Sequence, residues 1–186
     1  SIVNNDITVE NSYGVYLCYG VSISNNNTIA NNTIRATSET PSFWSYGVYL
    51  TGNYNHVENN TIIRMYRGIH SSYPHNYIIG NKIYNTTGLD ENNGAGGDYG
   101  IYGGDDTLIA NNSIYNADVI GAGILVGSNS NAYGNYIQIN SSGNGIILGD
   151  VEGGHNSKIY NNTIDFLSGA GIVLKGSPQD SQVYNN

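Results

Sequence analysis

Asp98, Asp105 and Asp106 bracket Tyr102, and His70 and Arg67 lie about one repeat earlier. Carboxylates paired across a sugar can act as acid and base in glycosidic cleavage. His70, Asp98, Asp105, Asp106 and Arg67 are therefore the catalytic candidates if the chain is an enzyme. A plainer reading places Asp105-Asp106 in a solvated turn, one that other repeats fill with Gly52-Asn53-Tyr54-Asn55 or Gly127-Ser128-Asn129-Ser130. The plainer reading is the stronger of the two.

A second group of residues suits binding. A Gly-aliphatic-x segment recurs as Gly14-Val15-Tyr16, Gly47-Val48-Tyr49, Gly68-Ile69-His70, Gly100-Ile101-Tyr102, Gly123-Ile124-Leu125, Gly145-Ile146-Ile147 and Gly171-Ile172-Val173. Its third position is expected to point outward. Insertions precede it, Ala36 to Tyr46 with Phe43 and Trp44, and Tyr84 to Tyr99 with Asp90, Glu91 and Asp98. Apolar sugar faces stack on rings while hydroxyls bond to polar groups, so Tyr16, Tyr49, His70, Tyr102 and Trp44 are the candidate ligand contacts. The competing explanation is that Tyr and Ile are simply good strand formers on a sheet surface.

The elements that must position these side chains follow from a longer-range pattern. Seven isoleucines (Ile7, Ile34, Ile62, Ile83, Ile114, Ile137 and Ile164) each sit two residues after an asparagine. Those asparagines are Asn5, Asn32, Asn60, Asn81, Asn112, Asn135 and Asn162, and Asn186 makes an eighth. The asparagine spacing averages about 26 residues, within the range of repeat architectures. Apolar and polar residues alternate over short β-branched runs, a period of two that means strands. The fold expected is all-β: a single-stranded right-handed parallel β-helix (solenoid) of about seven coils, forming one domain over residues 1–186. Aligned isoleucines then make a ladder inside and asparagines a ladder at a tight turn. Asn suits that turn because it tolerates left-handed backbone and its amide can bond to the next coil. Where the residue before the ladder Asn is not Asn, it is glycine in two coils, Gly80 and Gly134.

Composition agrees: thirty asparagines and 25 glycines supply turns, and the net charge is −8. Six scattered basic residues cannot track phosphates, which argues against nucleic acid. No run of about 18 apolar residues exists for a membrane span. Cys18 stands alone, which excludes an internal disulfide framework and leaves the redox compartment open. The chain starts and stops inside coils, so it reads as a segment of a longer β-helix, and flanking coils or like subunits are expected to cover its ends.

Asn31-Asn32-Thr33-Ile34, Asn59-Asn60-Thr61-Ile62, Asn111-Asn112-Ser113-Ile114 and Asn161-Asn162-Thr163-Ile164, with the Gly-Ile-x-Leu strands between them, resemble the parallel β-helix repeats of the pectin-lyase-like superfamily. The nearest variety is that of NosD-like and archaeal surface proteins. The resemblance covers the whole chain and implies the fold. It is less informative for function, because the superfamily holds lyases, hydrolases, epimerases, phage tailspikes and non-catalytic surface proteins. The copper-site maturation linked to the NosD branch finds no ligand set here, with one Cys, one Met and four dispersed histidines. Gly104-Asp105-Asp106 is similar to the adjacent aspartates of polygalacturonase-like hydrolases, whose Asn-Thr-Asp and Gly-His-Gly elements are missing; Gly153-Gly154-His155 is a partial echo. Tyr73-Pro74-His75-Asn76 resembles the Asp-Pro-His-Asp motif of mannuronate C5-epimerases with both aspartates replaced, and reads as a turn.

Asn93-Gly94-Ala95-Gly96-Gly97-Asp98 is one imperfect copy of a calcium repeat that works in tandem arrays. No cofactor is expected, a single Ca²⁺ at Asp98 or Asp105 being the weaker alternative to a glycine loop. Seven Asn-x-Ser/Thr sequons occur, and four are generated by the ladder motif itself. Asn26, Asn85 and Asn140 are the better glycan acceptors if the source glycosylates its surface proteins. The resulting expectation is an extracellular or cell-surface structural or adhesive module with a polysaccharide or surface glycan as partner. The alternatives are a carbohydrate-active enzyme with a groove on coils three and four, and a sheath, filament or tailspike subunit.

Overall fold

The computed structural model describes residues 1–9, 18–37, 45–88, 99–119, 121–149, 154–176 and 178–186. Among them are twenty-three strands and no helix. Three parallel sheets run the length of the solenoid. Sheet A has eight strands, from Ile2–Val3 to Gln182–Tyr184. Sheet B has seven in its main run, from Asp6–Val9 to Thr163–Phe166, with the short Thr87–Gly88 strand paired beside Ser113–Val119, and sheet C has seven, from Cys18–Ile23 to Ile172–Leu174. The chain visits A, B and C in turn, completing seven coils and the first strand of an eighth.

Register explains the isoleucine spacing. On sheet B, Ile7, Ile34, Ile62, Ile83, Ile114, Ile137 and Ile164 are aligned in one inward column. The five central members are fully buried, each side chain stabilising the cylinder by about 1.5–3 kcal/mol. Sheet A supplies a matching column, Ile29, Val57, Ile78, Ile109, Ala132 and Ile159, and all are fully buried. Each ladder residue of sheet A lies five positions before its counterpart on sheet B in every coil.

The turn that keeps this length constant is built by asparagine. In each coil the ladder Asn presents its Oδ1 to two donors of the preceding ladder Asn, the backbone N–H and the side-chain amide. For Asn112 these come from Asn81, at 2.9 and 3.0 Å. The Asn112 amide donates in turn to Asn135 Oδ1 at 3.1 Å and to the Ile78 carbonyl at 2.9 Å. The same contacts link Asn5 through Asn32, Asn60, Asn81, Asn135 and Asn162 to Asn186. The residue before each is left-handed: Asn4, Asn31, Asn59, Gly80, Asn111, Gly134, Asn161 and Asn185 have φ between 54° and 67°. Asn and Gly are the types that adopt this conformation at least cost.

The recurring glycine of sheet C answers to the isoleucine ladder. A Cβ on Gly47, Gly68, Gly100, Gly123 or Gly145 would lie within 2.9 Å of the ladder isoleucine one coil on. A methyl group of that isoleucine fills the notch each glycine leaves.

Asn112→Ala removes the acceptor of the Asn81 backbone N–H, one of the acceptors of the Asn81 amide and the side-chain donor to the Ile78 carbonyl, all in the buried ladder. The expected loss is about 1–3 kcal/mol, seen as a lower thermal midpoint. Asn111→Gly, at a position glycine already fills in two coils, should change stability by less than about 0.5 kcal/mol. Equal midpoints for Asn112→Ala and the parent chain would contradict the ladder.

Candidate functional site

The outer face of sheet C gathers most of the candidate residues. Register places Tyr49, His70, Tyr102, Leu125, Ile147 and Val173 in one column. In the first coil the position belongs to Ser22 rather than Tyr16, because Val21 pairs with Val48 and Ser22 with Tyr49. The reason is spacing: Gly20 follows Asn5 by fifteen residues, as Gly47 follows Asn32, so Gly20-Val21-Ser22 occupies the strand. Tyr16, Trp44, Phe43 and Asp98 lie outside the described residues.

A second set of rings flanks this column. Tyr19 aligns with Tyr46 and Tyr46 with Arg67, and Tyr99 aligns with Ala122 on the far side. Tyr49 stacks on His70 at 5.0 Å between centroids, and His70 on Tyr102 at 4.8 Å. Tyr19 and Tyr46 lie 5.0 Å from Tyr49, and Tyr99 lies 5.2 Å from Tyr102. The six rings form one patch across four successive coils. Because the column stacks ring on ring, neighbours partly cover each face, and ring edges and polar atoms carry more of any ligand contact than open ring faces do.

Arg67 is buried within this patch. Its guanidinium lies over Tyr46, Tyr66 and Tyr99 at 5.3, 5.6 and 4.9 Å, and its Nη1 donates to the Tyr46 hydroxyl at 2.6 Å. Desolvated cation–π contact can contribute about 2 kcal/mol. Burial pushes the Tyr46 phenol upward, opposed in part by the charge of Arg67. His70 is held at both ring nitrogens: Nδ1 is 2.5 Å from the Tyr99 hydroxyl and Nε2 is 2.5 Å from Ser72 Oγ. Burial, with a smaller push from the Arg67 charge, lowers its pKa from 6.5 to about 4. At neutral pH the imidazole is uncharged, with one nitrogen donating and the other accepting.

The aspartates are placed elsewhere. Asp105 and Asp106 are exposed in the corner between sheets C and A. Asp106 takes the left-handed position, φ 51°, that Asn26, Asn129 and Asn156 take in other coils, and Asp105 Oδ1 accepts the Ser128 N–H at 2.7 Å. Among the described residues no Asp or Glu lies on a strand of sheet C. Across the same corner runs a second ladder: Asn27 N–H to Asn55 Oδ1, Asn55 to Asn76, then Thr107 to Ser130, Ser157 and Ser181. It accounts for Tyr73-Pro74-His75-Asn76 as a turn, with His75 left-handed and stacked on Tyr54.

Among the described residues no group of three or more His, Cys, Asp or Glu is gathered to hold a metal; the glycine loop ending at Asp98 lies outside them. Asn26, Asn85 and Asn140 are exposed. The residues that sequence reading passed over are Tyr19, Tyr46, Tyr99 and Ser72. The signal for two of them was present in Tyr46-Gly-Val-Tyr49 and Tyr99-Gly-Ile-Tyr102, where rings stand on both sides of the notch glycine.

The family model described as right handed beta helix region matches residues 46–186. No curated protein and no solved structure matches the chain.

The state of His70 predicts a pH dependence. Its folded pKa lies below its unfolded value, so the unfolded chain binds the extra proton as pH falls from 6.5 toward 4. The contribution of His70 is complete above that window and is lost within it. The stability difference between the parent chain and His70→Gln should therefore shrink by about 2 kcal/mol between pH 7 and pH 4.5, after allowance for partial exposure. Chemical denaturation at the two pH values checks this, and a constant difference would contradict the buried neutral imidazole.

Proposed function

The chain belongs to the right-handed β-helix family, and from that premise we propose that it is an extracellular or cell-surface module, a rigid spacer that contacts glycans through the aromatic face of sheet C. The observation that carries this reading is the patch of Tyr19, Tyr46, Tyr49, His70, Tyr99 and Tyr102, continuous over four coils. Tyrosines combine a large contact area with a hydroxyl that both donates and accepts. Ser72, exposed and bonded to His70, adds a hydroxyl beside them.

The placement of Asp105 and Asp106 favours contact over cleavage. Both act in the corner, one as an acceptor for the next coil and one as a left-handed residue. Coil-on-coil stacking suits a spacer, since stability in such solenoids is close to a sum of neighbour terms.

Incubation with a panel of polysaccharides, with bound material and products identified by mass spectrometry, tests the proposal. Binding without shortened or unsaturated products is expected. Tyr49→Ala combined with Tyr102→Ala should weaken it at least about tenfold, or 1.4 kcal/mol. Asp105→Asn with Asp106→Asn, which keeps a side chain suited to the left-handed turn, should leave it unchanged. Cleavage products that vanish in the aspartate variant would establish an enzyme instead, and self-assembly into filaments without glycan binding would establish a sheath subunit.

A further inference from the structure

The charge pattern around sheet C narrows the ligand class. The chain has six basic residues, Arg35, Arg64, Arg67, Lys82, Lys158 and Lys175, and only Arg67 lies on a strand of sheet C. That guanidinium is 6 % exposed for the residue as a whole, covered by three tyrosine rings and bonded to the Tyr46 hydroxyl. Among the described residues of the segments joining sheet C to sheets A and B, Asp105, Asp106 and Asp180 are acidic and Arg64 and Lys175 are basic. Recognition of a uronate or sulfate is strongest where a cation can reach the anion, a bidentate Arg above all. Here the one candidate is engaged beneath the rings.

We infer that the ligand of the sheet C face is an uncharged polysaccharide, held along the solenoid axis over four coils, and that polyanionic glycans are rejected. This rests on the reading of sheet C as the glycan-contact face. The polar groups at the surface of this face are neutral and bifunctional, the phenol hydroxyls of Tyr19, Tyr49 and Tyr102 and the hydroxyl of Ser72, while Tyr46 and Tyr99 are buried and His70 is held between Tyr99 and Ser72. They match sugar hydroxyls, which likewise donate and accept. Acidification supplies no cation there until about pH 4, because burial and Arg67 keep His70 unprotonated. The same column bounds the footprint. Beyond Tyr102 it continues as Leu125, Ile147 and Val173, which offer no hydrogen bonds, so contact spans the strands from Cys18–Ile23 to Tyr99–Gly103. At one coil per strand spacing this is about 14 Å along the axis.

Affinity gel electrophoresis separates the alternatives, using soluble galactomannan, mixed-linkage β-glucan, polygalacturonate, a sulfated galactan and chitosan. Each is run at about 0.01 M and about 1 M salt, where screening lengths differ roughly tenfold. The expected result is retardation by a neutral polymer, changed less than about twofold by salt, and none by polygalacturonate or the sulfated galactan at low salt. Tyr49→Ala with Tyr102→Ala should abolish that retardation, while Tyr133→Ala, on sheet A, should retain it; circular dichroism establishes that both variants fold. Retardation by polygalacturonate or the sulfated galactan equal to that by the neutral polymers, or by chitosan alone, overturns this inference and leaves the glycan face standing. Retardation by none of the five overturns both.

Discussion

The hydrogen bonds of one asparagine side chain per coil set the terms for everything else in this solenoid. The oxygen of each ladder Asn collects two donors from the coil before it, and its amide reaches both the coil before and the coil after. One side chain therefore ties three layers. It can do so only if the chain turns sharply, which the left-handed residue before it provides. The consequence is a corner between sheets A and B that admits no insertion. All variation in coil length is pushed into the connections on either side of sheet C. A structure built on that corner can carry long loops next to one sheet while its core register stays fixed from Ile7 to Ile164.

The isoleucine ladder extends the constraint across the cylinder. Its methyl groups occupy the space where sheet C would otherwise have a Cβ, so that position is glycine in the first six coils, at Gly20, Gly47, Gly68, Gly100, Gly123 and Gly145. Rings are then set on both sides of that glycine in two coils, and alignment from coil to coil stacks them. Stacking alone is no mark of function, because the same repetition produces Tyr84–Tyr115 on sheet B and Tyr133–Tyr160–Tyr184 on sheet A. What distinguishes sheet C is its doubled width, the arginine sealed beneath the rings, and a neutral histidine held between two hydroxyls. Burying a guanidinium and an imidazole is costly. The tyrosines that surround them offset that cost and fix their orientation.

Much of this was legible in the chain. The Asn and Ile ladders could be read directly because their mutual spacing never varies. The first coil was harder: Gly14-Val15-Tyr16 and Gly20-Val21-Ser22 both fit the strand pattern, and only the count from the ladder Asn selects the second. The ladder at the other corner was hidden by a change of chemistry, since its asparagines give way after Asn76 to Thr107, Ser130, Ser157 and Ser181, and the shorter hydroxyls of the three serines accept the same backbone N–H. That corner also explains why two adjacent aspartates suggested catalysis. Asp is one of the few types tolerated at a left-handed position, and Asp106 holds one. The environment of His70 was illegible, because its partners Tyr99 and Arg67 are joined to it by register and packing rather than by local pattern.

The central claim is that one of three tyrosine-bearing sheets is the contact face, and the other two sheets are its internal controls. The most direct measurement is an NMR titration of the tyrosine-labelled chain with a bound oligosaccharide, following ring resonances assigned by single substitution. The account predicts shifts at Tyr49 and Tyr102, with Tyr19 beside them, while Tyr84, Tyr115, Tyr133 and Tyr160 stay in place. Shifts centred on the sheet A or sheet B stacks, with Tyr49 and Tyr102 unmoved, would contradict it.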